Sequence, residues 1–239
     1  MNIIKKFLKI IIPQKIIEKI SFLKLKNKNY FGFKKLDKKL LEYLNYNNGF
    51  YVELGAADGI TQSNTRYFEK NLGWRGILIE PEINNFNKCK KNRSENNFFI
   101  NKACVGFDYK KKNLRMISVG LMTTSLDENI SKINPTLHAD QGKKYLKSDE
   151  KIQEFTSDVS TLNDILDKCK SPKIIDFISL DVEGLEIEVL NGINFDHYVF
   201  KYILTESRDN SEMVEFFEKK NYQLIKEFPP RDLLFKYIF

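Results

Sequence analysis

The chain has 239 residues, enough for one α/β domain with a sizeable core, and its 42% hydrophobic and 30% charged content excludes disordered and fibrous classes. Thirty-nine basic against 32 acidic residues leave a net charge of +7, which suits an anionic partner without defining one. Cys89, Cys104 and Cys169 lie far apart with no CxxC pair and no Cys/His cluster, excluding a disulfide framework or structural zinc and suiting a reducing, cytoplasmic setting.

The first twenty residues, MNIIKKFLKIIIPQKIIEKI, are too broken by Pro13 to span a bilayer and lack a small-residue cleavage site. Ile3, Ile4, Phe7, Leu8, Ile11 and Ile12 recur at helical spacing among lysines, and Ile16, Ile17 and Ile20 resume after the proline. Such a basic amphipathic arm suits the inner face of an acidic membrane, or packing on the domain or on a second subunit as a homodimer. Leu36, Leu40, Leu41 and Leu44 predict a helix ended near Asn47-Asn48-Gly49, so that residues 1–46 form an N-terminal helical arm and 47–239 the main domain.

From Phe50 the rhythm becomes that of βαβ units. FYVEL is a buried strand ending at Gly55, Tyr67, Phe68 and Leu72 mark a helix, and GILIE, Gly76 to Glu80, is a second strand. A helix from Glu82 to Asn92 leads to a third strand in NFFINKACVG, where Cys104 reads as a small buried hydrophobe. Residues from about 108 to 155 break the pattern as a polar insertion on the ligand side, with a hairpin near KKNLRMISVG. The α/β rhythm resumes with a helix in STLNDILDKC capped by Ser160, the strand KIIDFISLD, and a helix in EGLEIEVLNGI. The strand VFKYILTES, the helix SEMVEFFEKKN and a terminal antiparallel hairpin across PPRD complete an open α/β sheet.

Ligands of such sheets bind at the carboxyl ends of the strands, where the strand order reverses. Acids cluster at those ends: Glu53 and Asp58 after the first strand, Glu80 after the second, Asp181 and Glu183 near residue 180, and Glu206 after the next. Buried carboxylates need partners, which a cationic or hydroxyl-rich ligand supplies. ELGAADG lacks the GxxxxGK[ST] phosphate loop and the third glycine of GxGxxG, and the acid at the strand end repels a pyrophosphate. Glu80 follows Glu53 at about the spacing at which a second-strand acid accepts ribose hydroxyls. A nucleoside carrying an amino acid, S-adenosylmethionine, meets both requirements, whereas a nicotinamide dehydrogenase on the same sheet type meets fewer of them.

YVELGAADGITQSNTRYFEKNLGWRGILIEPE, NKACVG, STLNDIL and IDFISLDVEGLEIEVLNGI occur in the order of the motifs of the FkbM-type S-adenosylmethionine-dependent methyltransferases, which the chain resembles from about Phe50 to Arg208. The resemblance implies a Rossmann-like class I methyltransferase fold: a mostly parallel open sheet with helices on both faces and an antiparallel terminal strand. It implies that Glu53, Gly55 and Ala56 line the methionine part of the cofactor, with Asp58 closing the turn and Ser63, Asn64 and Thr65 near its carboxylate, unless these three only cap a helix. By the same resemblance Glu80, beside Pro81, takes the ribose, Ala103 and Cys104 lie by the adenine, and Asp181 stands nearest the methyl group.

Family members methylate hydroxyls, many on sugars or polyketide-derived molecules. The expected acceptor is therefore a carbohydrate, such as a sugar nucleotide or a surface polysaccharide precursor, with a non-sugar small molecule as the alternative. A sugar hydroxyl needs a base on its proton or a cation beside its oxygen. Asp181, Glu183 and His138 are the candidate bases, and Asp181 with Glu206 the candidate ligands of Mg²⁺. Thr123, Thr124 and Ser125 offer further hydroxyls, and His197, before a strand, reads as structural. Nucleic acid is not an expected partner, since no basic stripe interleaved with aromatics stands out.

Overall fold

The computed structural model describes residues 29–146 and 151–239, so the amphipathic pattern of residues 3–20 lies outside the described residues. The described chain runs through α1 (Leu36–Leu44), β1 (Phe50–Leu54), α2 (Arg66–Leu72), β2 (Arg75–Ile79), α3 (Ile83–Asn92), β3 (Phe98–Ile100) and β4 (Ala103–Cys104). It continues with β5 (Asn113–Val119), β6 (Met122–Ser125), α4 (Pro135–Gly142), β7 (Ile152–Ser160), α5 (Leu162–Lys168), β8 (Ile174–Leu180) and α6 (Glu186–Leu190). The last elements are β9 (Val199–Glu206), α7 (Asn210–Glu218), β10 (Tyr222–Phe228) and β11 (Asp232–Tyr237).

Seven strands form the main sheet in the order β10-β11-β9-β8-β1-β2-β3. β3, β2, β1, β8 and β9 are parallel, with Val52 opposite Ile77 and Ile178, and β11 runs antiparallel to β9 and β10. Parallel strands covered on both faces read as continuous apolar runs, and every residue of FYVEL is buried. Alternate side chains then divide between two cores. Val52, Leu54, Ile77, Ile79, Ile178 and Leu180 join the core that holds Leu162 and Leu166 of α5 and Leu190 of α6. Tyr51, Leu78 and Phe177 join the opposite core with Phe68 of α2 and Cys89 of α3.

Leu36, Leu40 and Leu44 of α1 belong to the second core, so this helix packs against the main domain. Three readings of the sequence are corrected. The third strand is two: Asn101 turns its amide onto the carbonyls of Glu80 and Pro81, ending β3, and β4 pairs with β7 instead. β7 itself had no clear signal, because its pattern is mostly exposed; it forms by antiparallel pairing along β5, giving a second sheet in the order β4-β7-β5-β6. Finally, Thr161 and not Ser160 caps α5, accepting from the amide of Asp164, while Ser160 ends β7.

Because Leu40 is wholly buried among sheet side chains, Leu40→Ala is expected to cost about 2–5 kcal/mol of unfolding free energy in urea. A change below 0.5 kcal/mol, roughly that of a neutral surface substitution, would contradict the packing of α1 in the second core.

Candidate functional site

The strand order reverses between β1 and β8, and their carboxyl ends open into a cavity of about 630 Å³, a size typical of small-molecule sites. Gly55 makes that junction. Its φ is +76°, and a Cβ there would stand 2.0 Å from the carbonyl oxygen of Asp181, so no side chain fits between the two strand ends. The loop that follows also holds Ala57 and Gln62 in the left-handed region, at φ 45° and 61°, where side chains are uncommon.

A buried polar network holds this loop. The guanidinium of Arg93, at the end of α3, is fully buried and donates from Nε to Glu69, from Nη1 to Glu53, Ser63 and the carbonyl of Gly59, and from Nη2 to Tyr51 and Thr65. Glu53 also accepts from the hydroxyls of Ser63 and Thr65 and the amide of Asn64. Burial alone raises the pKa of Glu69, but Arg93 and Arg66 more than offset it and hold the carboxyl below its ordinary value. Glu53, Asp58 and Thr65, expected at the cofactor, therefore do not line the cavity. Glu53 and Thr65 serve the network, and Asp58 closes the turn by accepting from the amides of Ile60 and Thr61 and from the Thr61 hydroxyl.

Ser63 and Asn64 do line the cavity. Ser63 accepts from the amide of Arg66, the first residue of α2, while Thr65 holds the N-cap position without a side-chain bond to the helix. Asn64 donates to Ser179 of β8, while its Oδ1 is buried with no hydrogen-bond partner. Glu80 enters the cavity wall with both oxygens oriented, one by the amide of Ala57 at 2.8 Å and the other by the amide of Glu82 at 2.9 Å. Burial raises its pKa to about 7, against the lowering effect of those two amides. Gly55, Ala56, Pro81, Ala103 and Cys104 complete this part of the wall. Burial pushes the Cys104 thiol up to about 12, which leaves it a packing residue.

The opposite end of the cavity is acidic. Asp181, Glu183 and Glu206 each offer an oxygen within 4.8 Å of the others, so Glu183 joins the expected pair. Glu183 sits at φ 51° before Gly184, not at the start of a helix. Glu186 fixes this turn by accepting from the amides of Val182 and Gly184, and Thr124 donates its hydroxyl to the Glu183 carbonyl. The surrounding cavity walls, followed by repulsion from Glu183 and Glu206, raise the pKa of Asp181, although its side chain remains open to solvent in the cavity, and burial brings that of Glu183 to about 7.

Arg208 pairs with Glu183 at 3.1 Å, and Arg231 with Glu206 at 3.4 Å. His138 of α4 is buried with Nε2 3.5 Å from Glu183, and burial followed by the two arginines lowers its pKa to about 4, keeping the ring neutral. The insertion thus reaches the site, bringing Met116, Thr123 and His138 to the cavity. His197 is half-exposed at the surface beside Lys173 and outside the cavity.

Sheet order, switch-point cavity and ribose-type acid together define a Rossmann-like methyltransferase fold. Residues 53–224 match the methyltransferase FkbM domain, and the chain belongs to that family. It is a methyltransferase dependent on S-adenosylmethionine, and the family settles the class against a dehydrogenase. No curated protein matches the chain. Among solved structures it is similar to the METTL16 MTase domain at 11% identity and a TM-score of 0.41, covering 84% of this chain and 64% of that one. It is equally similar to precorrin-6y C5,15-methyltransferase from Geobacter metallireducens GS-15, at 11% identity and a TM-score of 0.41, covering 88% and 95%. No helix among the described residues is long and apolar enough to cross a membrane.

The residues present fit the cofactor. Asn64 Oδ1 is an orphaned acceptor suited to the ammonium group, and Glu80 keeps lone pairs for a vicinal diol after receiving its two amides. Two measurements test this wall. Arg93→Met leaves Glu53 buried without its cation and Glu69 with Arg66 alone, and is expected to destabilise the protein by about 3–5 kcal/mol in chemical denaturation; a loss under 1 kcal/mol, roughly the worth of an exposed pair, contradicts the account.

For Glu80, the folded pKa near 7 exceeds the ordinary glutamate value of 4.5, so its protonation stabilises the unliganded fold below about pH 4.5, and that contribution is lost as pH rises through 7. Ribose hydroxyls favour the ionised form. Calorimetry should therefore show S-adenosylhomocysteine binding about tenfold tighter at pH 8 than at pH 6, with that increment absent in Glu80→Gln.

Proposed function

We propose that the chain transfers a methyl group to a hydroxyl of a carbohydrate, with a sugar nucleotide or a surface polysaccharide precursor as the acceptor class. The observation that carries this reading is the second end of the cavity, where Asp181, Glu183, Glu206 and His138 present hydrogen-bond acceptors beside Arg208 and Arg231. Carboxylates and a neutral imidazole accept protons from a hydroxyl-rich ring, and two guanidinium groups suit phosphate oxygens.

S-adenosylmethionine, when bound, supplies an electrophilic methyl group on a sulfonium. The chain's own contribution is mainly alignment. Asn64 and Glu80 hold the methionine and ribose parts of the cofactor, and Gly55 brings the ends of β1 and β8 into contact so that Asp181 shares the cavity with them. The Asp181 amide donates to the Leu54 carbonyl, while its carboxyl group has neither a hydrogen bond nor an ion pair among the described residues and faces the cavity, where an acceptor hydroxyl can meet it. Met116, Val119 and Met122 of the insertion wall the same space and limit access of water.

The test is incubation of the protein with methyl-labelled S-adenosylmethionine and a panel of sugar nucleotides, followed by identification of the labelled product. Label on a sugar oxygen is expected. Label appearing only on a non-sugar small molecule, with every carbohydrate unlabelled, overturns the acceptor class. Arg231→Gln should raise the KM of a phosphate-bearing acceptor about tenfold, as expected for losing one charge-assisted hydrogen bond, without changing S-adenosylhomocysteine affinity.

A further inference from the structure

The segment that precedes α1 runs along the cofactor end of the cavity. Phe33 and Leu36 line that space together with Gln62, Ser63 and Asn64 of the loop after β1. Three anchors hold the segment there. Tyr30 stacks on Tyr67 of α2 with ring centroids 5.1 Å apart, and the buried carboxylate of Asp37 accepts from the amide of Phe31 at 2.6 Å. Gly32 forms a parallel bridge with Gln62 and lies against Asn64, so that a Cβ there would stand 2.9 Å from Asn64 Oδ1 and 2.8 Å from the Asp37 nitrogen. The chain then turns into α1 through Lys34 and Lys35, both left-handed at φ 47° and 59°, with the Lys35 amide donating to the Gly32 carbonyl. Two side-chain-bearing residues in succession at such angles persist only where contacts on either side over-determine them, as the Gly32 bridge and Asp37 do here.

We propose that residues 30–36 form a strap at the methionine end of the S-adenosylmethionine site, and that Phe33 is a cofactor-binding residue whose ring covers that part of the cofactor. Two observations carry the assignment. Phe33 is 48% exposed although it lines the cavity, and it belongs to neither core among the described residues, so its ring is apolar surface that the protein's own packing leaves uncovered. Its neighbour Gly32 lies against Asn64, the residue that fits the cofactor's ammonium group, which puts the strap at the methionine end. A methionine chain offers methylene groups to bury against the ring and a cation for its face, and Lys34 Nζ already lies 5.4 Å from the ring centroid. The strap lies ahead of residues 53–224, which match the family. The inference rests on the placement of the cofactor at Asn64 and Glu80 and is independent of the acceptor.

The experiment is calorimetry of S-adenosylhomocysteine binding to the full chain and its variants, with amide hydrogen exchange in parallel. Phe33→Ala should weaken binding about tenfold, the effect of losing the half of a phenylalanine side chain that a ligand covers. Phe33→Tyr keeps the ring and should bind within about threefold of the unsubstituted chain. Both variants should keep the original melting curve, since Phe33 lies outside the two cores. S-adenosylhomocysteine should slow amide exchange at residues 33–35 in the unsubstituted chain and not in Phe33→Ala. Affinity within about twofold of the original in Phe33→Ala, a loss in Phe33→Tyr as large as in Phe33→Ala, or exchange at residues 33–35 indifferent to the ligand overturns the proposal. Failure of the unsubstituted chain to bind S-adenosylhomocysteine would remove the cofactor placement itself and the strap with it. Binding by the unsubstituted chain that Phe33→Ala leaves unaltered would remove the strap alone.

Discussion

The cavity depends on one buried cation. Arg93 joins β1 through Tyr51 and Glu53, the loop through Gly59, Ser63 and Thr65, and α2 through Glu69, with every guanidinium nitrogen engaged. A guanidinium removed from water is tolerable only when paired and hydrogen-bonded in this way. The return is geometric: a loop with side-chain-bearing residues at left-handed φ is held in one conformation, so that Asn64 and the Ala57 amide stand where the cavity wall requires them. Strain of this kind persists only where the surroundings over-determine it.

A second constraint acts at the junction of β1 and β8. Close approach of Gly55 to the Asp181 carbonyl brings the cofactor-side loop and the acid cluster together at one switch point. The insertion closes the space from outside, with β5, β6 and α4 contributing to the wall and Lys132 donating its amide to the Gly184 carbonyl. Its small sheet is anchored because β7 pairs with both β4 and β5, tying the insertion to the chain that leaves β3. The two ends of the cavity consequently differ in chemistry: oriented acceptors for a nucleoside at one, and clustered acids, a neutral histidine and two arginines at the other.

The central strands were legible because burial on both faces writes itself as mostly apolar runs, as in FYVEL, GILI and IIDFISL, interrupted only by Glu53, Asp176 and Ser179. Glu80, Asp181 and Glu206 were legible because an acid at a strand end conflicts with its surroundings unless a ligand or partner meets it. β7 was not, since a mostly exposed strand pairing over 30 residues from its partner carries a weak local signal. Arg93 was not either: a lone arginine closing a helix reads as surface charge. Glu186, which holds the turn bearing Glu183, was hidden as an ordinary polar residue, and Thr124, read as a hydroxyl for a ligand, instead bonds the Glu183 carbonyl 59 residues on.

The sequence by itself determined the α/β alternation, the terminal hairpin, the residues at the strand ends and the methyltransferase family, because each rests on local periodicity or on residues adjacent along the chain. Only the tertiary structure decided which acids face the cavity. Glu53 and Glu80 end neighbouring strands in the same way, yet Glu53 meets Arg93 and is used up inside the protein, whereas Glu80 meets two amides and keeps lone pairs for a ligand. A carboxylate's role follows from the partner that reaches it, and that partner is set by packing between segments tens of residues apart.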